Sequence, residues 1–99
     1  MTVYLDMDGV IADFFTAFAN ANNVKHWKSI KDKERALVEA RNTDFFNRID
    51  VFPTSQKLVD FVRSTGDWGI CSSPLRGDHN NSAYWKRVWL ERHGFMPDV

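Results

Sequence analysis

The stretch Val3-Tyr4-Leu5-Asp6-Met7-Asp8-Gly9-Val10-Ile11-Ala12-Asp13 constrains this chain more than any other part of it. Val3, Tyr4 and Leu5 form a short run of β-branched, aromatic and aliphatic side chains, the composition of a buried parallel strand. Two carboxylates and a glycine follow at once, where such a strand has to stop. In extended backbone, side chains alternate faces, so Asp6 and Asp8 are expected on one side and Met7 in the core. Gly9 admits a sharp turn, and Val10 to Phe15 is expected to start a helix. Open α/β sheets bind ligands beyond the carboxyl ends of their strands. Two close carboxylates repel unless a cation or a proton lies between them. Together these features point to a hard divalent metal and a phosphate. A plain turn after a strand has the same composition, since Asp and Gly are common there.

The remainder of the chain sets limits on this reading. Its 99 residues have room for one domain with a modest core. Thirteen Lys and Arg balance thirteen Asp and Glu. A nucleic-acid binder would show a basic excess, so none is expected, whereas a small anionic ligand is still allowed. A single cysteine, Cys71, cannot form an internal disulfide, which fits a reducing, cytoplasmic setting. No apolar run approaches the roughly 20 residues of a membrane span, and the N-terminus lacks the pattern of a signal peptide. His26, His79, His93 and Cys71 have no zinc-ligand spacing.

Phe14, Phe15, Phe18 and Ala19 recur at helical spacing, with Asn22-Asn23 as the stop. Ser29-x-x-Asp32 reads as a capping box opening a second helix, to which Ile30, Leu37 and Val38 give a thin apolar stripe. Such a helix is either a small cap over a pocket or an ordinary exposed helix. Asp44 to Pro53 is an irregular, aromatic-rich return. Thr54 or Ser55 then caps a helix buried through Leu58, Val59, Phe61 and Val62, and Gly66 ends it. Trp68 to Cys71 is a second short strand, stopped by Ser72-Ser73-Pro74. The order predicts a right-handed crossover that pairs the two strands in parallel. Asn81 or Ser82 caps a last helix carrying Trp85, Val88 and Trp89 inward, with Gly94 just past its end.

The string Asp6-Met7-Asp8-Gly9-Val10, followed by Ile11-Ala12-Asp13-Phe14, resembles the first motif of the haloacid dehalogenase superfamily of phosphotransferases. Its wording is most like that of the 5′(3′)-deoxyribonucleotidases. Cys71-Ser72-Ser73-Pro74 is similar to the second motif, a hydroxyl directly after a strand. Tyr84-Trp85-Lys86-Arg87-Val88-Trp89 resembles the third-motif region, which supplies a lysine; Arg76 and Arg87 are nearby cations. The resemblance implies an α/β fold with a Rossmann-like parallel sheet, as one domain over 1–99. Its core would be 1–13 and 54–99, with a small helical cap at about 14–53.

The implied activity is hydrolysis of nucleoside monophosphates, 5′(3′)-deoxyribonucleotides foremost. Asp6 would be the nucleophile forming an aspartyl-phosphate, and Asp8 the acid and base. Gly9, Ser72, Ser73 and Lys86 would hold the phosphate, and Asp6 and Asp8 would hold Mg²⁺. An aromatic after the first motif stacks on the base in related enzymes, and Phe14 stands at that place. Trp27 and Phe45 or Phe46 are candidates for other walls of that pocket.

A fourth motif, an acid after a further strand, has no counterpart; Asp98 is the acid nearest the end, and no apolar strand precedes it. The resemblance thus covers the first part of a longer fold, a C-terminally incomplete one. The first strand is expected to have an open edge, covered by a second copy or a second chain. Two other readings stay open: a non-catalytic chain that needs another polypeptide to complete its site, and a phosphatase of sugar phosphates or nucleic-acid 3′-phosphate ends.

Overall fold

The computed structural model describes residues 2–73 and 75–97. Strand β1 (Val3–Asp6) pairs in parallel with β2 (Trp68–Cys71), with Val3 opposite Trp68 and Asp6 opposite Cys71. Between them run α1 (Phe14–Ala21), α2 (Lys33–Glu39) and α3 (Ser55–Ser64), with 3-10 turns at Trp27–Ser29 and Phe45–Arg48. Helix α4 (His79–His93) follows β2. The described residues thus form a mixed α/β unit with a two-stranded parallel sheet and four α-helices. None of these helices is long and apolar enough to cross a membrane.

Parallel register places Val3, Leu5, Trp68 and Ile70 on one face of the sheet and Tyr4, Asp6, Gly69 and Cys71 on the other. The first face belongs to the core, where Leu5, Trp68 and then Met7 are buried. On the second face Tyr4 is 69% exposed, which corrects the expectation of a strand buried on both sides. Along β1, Val3 and Leu5 are partly or fully buried while Tyr4 and Asp6 are exposed, so the strand is half-buried. Tyr4 lies instead across Gly69, where an added Cβ would come within 3.0 Å of the tyrosine ring.

Local chemistry shifts several element ends. The first helix begins at Phe14 rather than near Val10, because Asp13 caps it by accepting the Thr16 N–H. Phe18 is buried on α1, whereas Phe15, one residue after Phe14 and so turned about 100° from it, is 41% exposed. Ser29 does not open α2. It closes the preceding 3-10 turn, and Asp32 is the cap, taking the Arg35 N–H at 3.0 Å. Ala36 is the buried residue of α2, and Val38 is exposed.

Ser55, Val59 and Val62 form the buried stripe of α3. Phe61 sits two residues past Val59, about 200° round the helix, and is exposed. Helix α4 starts at His79, before the expected Asn81 or Ser82, with Asp78 in the cap position. The Ser82 hydroxyl is occupied elsewhere: it donates to the Asp78 carbonyl and accepts the Leu75 N–H. Gly94 ends α4 as expected, at φ +73°, a conformation costly for other residues.

Trp89 and Phe95 anchor α4 in the core. The indole N–H of Trp89 donates to the Ile49 carbonyl at 2.6 Å, and Arg92 donates to the Asn47 carbonyl. These bonds dock α4 on the return segment that leads back from the 3-10 turn at Phe45–Arg48.

Candidate active site

The turn after β1 is built around one carbonyl. Met7 C=O accepts the N–H groups of Val10, Ile11 and Ala12 at 3.0 to 3.2 Å, and Gly9 N–H donates to Ala12 C=O at 2.9 Å. Gly9 has φ +77°, and a Cβ there would press on the Phe15 ring at 3.0 Å. Glycine is thus needed twice, for the backbone angle and for the close approach. The far side of the turn is fastened by Ser55, fully buried, whose hydroxyl donates to Ile11 C=O at 2.7 Å and accepts Phe52 N–H at 2.9 Å. Asp13 N–H donates to Asp50 C=O at 2.8 Å.

Met7, between the two acids, is wholly buried in the core. Asp6 is exposed, and its Oδ1 accepts the Met7 N–H at 2.9 Å. Asp8 is half-buried and meets Lys86, which α4 delivers to the ends of both strands. The Lys86 ammonium donates to Asp8 Oδ2 at 2.8 Å, to Ser72 Oγ at 2.8 Å and to the Ser73 carbonyl at 2.7 Å. An ammonium has three protons, and each finds an oxygen. Lys86 is only 5% exposed, so its charge is compensated by Asp8 rather than by water. Asp8 Oδ1 is buried without a partner.

The cluster holds the ends of two separate strands and one helix at a single nitrogen. Such an arrangement can bind an anion and place a carboxylate oxygen beside it. A cavity of about 360 Å³ opens next to Ser72 and Lys86, bounded by Tyr4, Gly69, Ile70 and Leu90.

Of the residues singled out from the sequence, Asp8, Ser72, Ser73 and Lys86 are brought into direct contact, and Gly9 makes the adjoining turn. Lys86 reaches Asp8, not Asp6. Phe14 stacks on Phe18 and Phe46 with centroids 5.3 and 6.2 Å apart. Phe45 is buried and lines a different cavity of about 300 Å³ with Asp13, Asn20, Arg48 and Asp50. Trp27 packs on Phe15 at 5.0 Å, beneath Lys33. The Arg76 carbonyl accepts the Arg41 Nε–H at 3.0 Å. Pro74 and Asp98 lie outside the described residues.

One aromatic at the lysine was not assigned there from the sequence. Phe46, rather than Phe45, lies against Lys86, with Nζ 4.7 Å from its ring centroid. A doublet of phenylalanines in irregular backbone carries no period that tells which ring turns inward.

Among the described residues no three His, Cys, Asp or Glu side chains group as a metal centre. Asp6 and Asp8 provide two carboxylates, and the unpartnered Asp8 Oδ1 is an oxygen free to bind a hard cation. Mg²⁺ typically takes one or two carboxylates and completes its shell with phosphate and water, so this donor set fits it.

No protein-family model matches the chain. Two curated proteins are similar to it, both provisionally named 5′(3′)-deoxyribonucleotidases. One, from Bordetella pertussis, is 33% identical over 112 residues, covering 94% of this chain and 60% of its own length. The other, from Bordetella bronchiseptica, is 32% identical with the same coverage. The chain is a distant relative of these nucleotidase-named proteins and spans 60% of the length of each.

Proposed function

We propose that this chain carries the phosphate-handling part of a Mg²⁺-dependent phosphatase of nucleoside monophosphates, deoxyribonucleotides foremost. The observation that carries this reading is the Lys86 ammonium bonded to Asp8 and Ser72 at the ends of two parallel strands. The nucleotidase names of the two Bordetella relatives supply the substrate class.

In this reading the phosphate monoester enters beside Lys86, whose charge offsets that of the phosphoryl oxygens, and the Ser72 hydroxyl donates to one of them. A carboxylate oxygen of exposed Asp6 attacks phosphorus in line. The bond from phosphorus to the sugar oxygen breaks, and Asp8, which takes up a proton from solvent once the phosphate draws the Lys86 charge to itself, gives that proton to the leaving oxygen. Asp8 then takes a proton from the water that opens the aspartyl-phosphate, which releases inorganic phosphate and restores both acids. Mg²⁺ held by Asp6 and Asp8 would neutralise the phosphate charge that otherwise repels the Asp6 carboxylate. Gly9 keeps the turn tight enough for these groups to face one another.

A second reading, that another polypeptide completes the site, is favoured by the lack of a third acid grouped with Asp6 and Asp8 among the described residues. One experiment separates the readings: phosphate release from deoxyribonucleoside and ribonucleoside monophosphates and from sugar phosphates, with Mg²⁺ and with EDTA. Release from the nucleotides that EDTA stops and Asp6→Asn abolishes is expected. Turnover of sugar phosphates alone would overturn the substrate class, and no turnover of any monoester would favour the chain that needs a partner.

A further inference from the structure

We infer that Phe46 is a positioning residue for Lys86: its ring face holds the ammonium in place against Asp8 and Ser72. The inference deepens the proposed function and rests on it for its catalytic meaning, but the grip itself is a separate physical claim. Nζ lies 4.7 Å from the Phe46 centroid, inside the roughly 6 Å over which a cation is drawn to the negative face of an aromatic ring. Both partners are withdrawn from solvent, Phe46 at 4% exposure and Lys86 at 5%. Water therefore screens the attraction little, which places it toward the strong end for such contacts.

The ring is also fixed. Phe14 stacks nearly parallel to it, at 14°, and Phe45 meets it edge-on at 5.3 Å. Immediately after the 3-10 turn that carries Phe46, the Ile49 carbonyl is pinned to α4 by Trp89. Within the turn itself, Arg92 does the same at the Asn47 carbonyl. Ring and lysine thus ride on two elements bonded to each other.

The lysine side of the contact sharpens the argument. All three ammonium protons are committed to oxygens, so the ring competes with none of those bonds. It adds an attraction that depends on ring electron density and not on a hydrogen bond. A leucine at this position would fill similar space and lack that attraction.

The test replaces Phe46 by mono-, di- and trifluorophenylalanine in the full chain, which drains the ring face while nearly keeping its shape. Urea-unfolding midpoints are read in the parent and in Lys86→Met, and phosphate release from a deoxyribonucleoside monophosphate is read in the parent series. The midpoint is expected to fall stepwise with fluorination when Lys86 is present and to stay level in Lys86→Met. Along the same series kcat is expected to fall roughly 2- to 10-fold with KM little changed, the range an ordinary cation–π contact corresponds to.

Equal slopes in both backgrounds would mean that fluorine acts through packing, and would overturn the inference; so would a level parent series. If Lys86→Met does not fold, the control is a fluorinated series at Phe18, an equally buried ring over which no cation lies among the described residues. A fall at Phe46 steeper than at Phe18 supports the grip, and matching falls refute it. If no chain in the set releases phosphate, the proposed function fails while the unfolding comparison still decides the grip.

Discussion

Replacing Lys86 by Met keeps an unbranched side chain, one atom shorter, and removes the charge on which the site is built. Three bonds are lost, to Asp8 Oδ2, Ser72 Oγ and the Ser73 carbonyl. Breaking a fully buried ion pair costs about 3–5 kcal/mol, because the surviving charge is stranded away from water. Here the lysine side chain is 6% exposed but that of Asp8 is 29% exposed, so the carboxylate regains part of its hydration. The expected loss is therefore below that range, about 2–3 kcal/mol. For a domain of this size that corresponds to a fall in Tm of roughly 10–20 °C.

Under the proposed function the same change removes the positive charge facing the phosphoryl oxygens, and kcat should fall by roughly 10²–10³-fold. Lys86→Arg is the informative companion. A planar guanidinium cannot aim three donors at the three oxygens that a tetrahedral ammonium reaches, so it should recover stability in part and activity poorly. Calorimetric melting and a phosphate-release assay on the same preparations make the measurement. A Lys86→Met chain melting within about 2 °C of the parent, with undiminished phosphate release, would refute the reasoning on both counts.

Two further outcomes follow from groups outside that cluster. Ser55→Ala leaves Ile11 C=O without its partner at a buried contact and Phe52 N–H without its partner at a part-buried one; at about 1–3 kcal/mol for each orphaned group, urea unfolding should show a loss of about 2–4 kcal/mol. His93 is held below its ordinary value of 6.5, first by burial and then by the adjacent Arg92, with Asp50 opposing them. The unfolded chain therefore takes up this proton more readily than the folded one. Stability is unaffected well above pH 6.5 and declines as the pH falls through that value. His93→Gln should flatten that part of the urea-midpoint profile between pH 7.5 and 5, and an unchanged slope would show that another group sets it.

What was legible in the sequence was what short-range pattern determines. The apolar runs at Val3 and Trp68 pair as expected because nothing else in the chain offers strand composition between turn signals. Gly94 ends α4 because a left-handed residue is needed where a Schellman-type turn closes. Asp8, Ser72 and Lys86 come together because each stands one or two residues past a strand, or on the helix that follows one. What escaped depends on neighbours far along the chain. Tyr4 looked buried because composition alone does not say how many faces of a sheet are covered. Ser82 looked like a cap until its hydroxyl was claimed by Leu75. The resemblance set the Lys86 ammonium against Asp6, and it bonds Asp8 instead because α4 seats it there. The fully buried Ser55 was read as a cap, and its bond to Ile11, 44 residues away, had no local signal.

The segment between the first turn and α3 is tied down along its length. Asp13 and Asp50 join its two roots, and midway along it Asn42 N–H bonds Asp78 while the Thr43 carbonyl accepts from Asn81. Asp78 is itself buried at the head of the helix that bears Lys86. A part of the chain latched at both ends and in the middle behaves as masonry rather than as a door. Ligands at the lysine would then come and go through a standing aperture, and thickening the solvent would slow their arrival without adding a separate opening step.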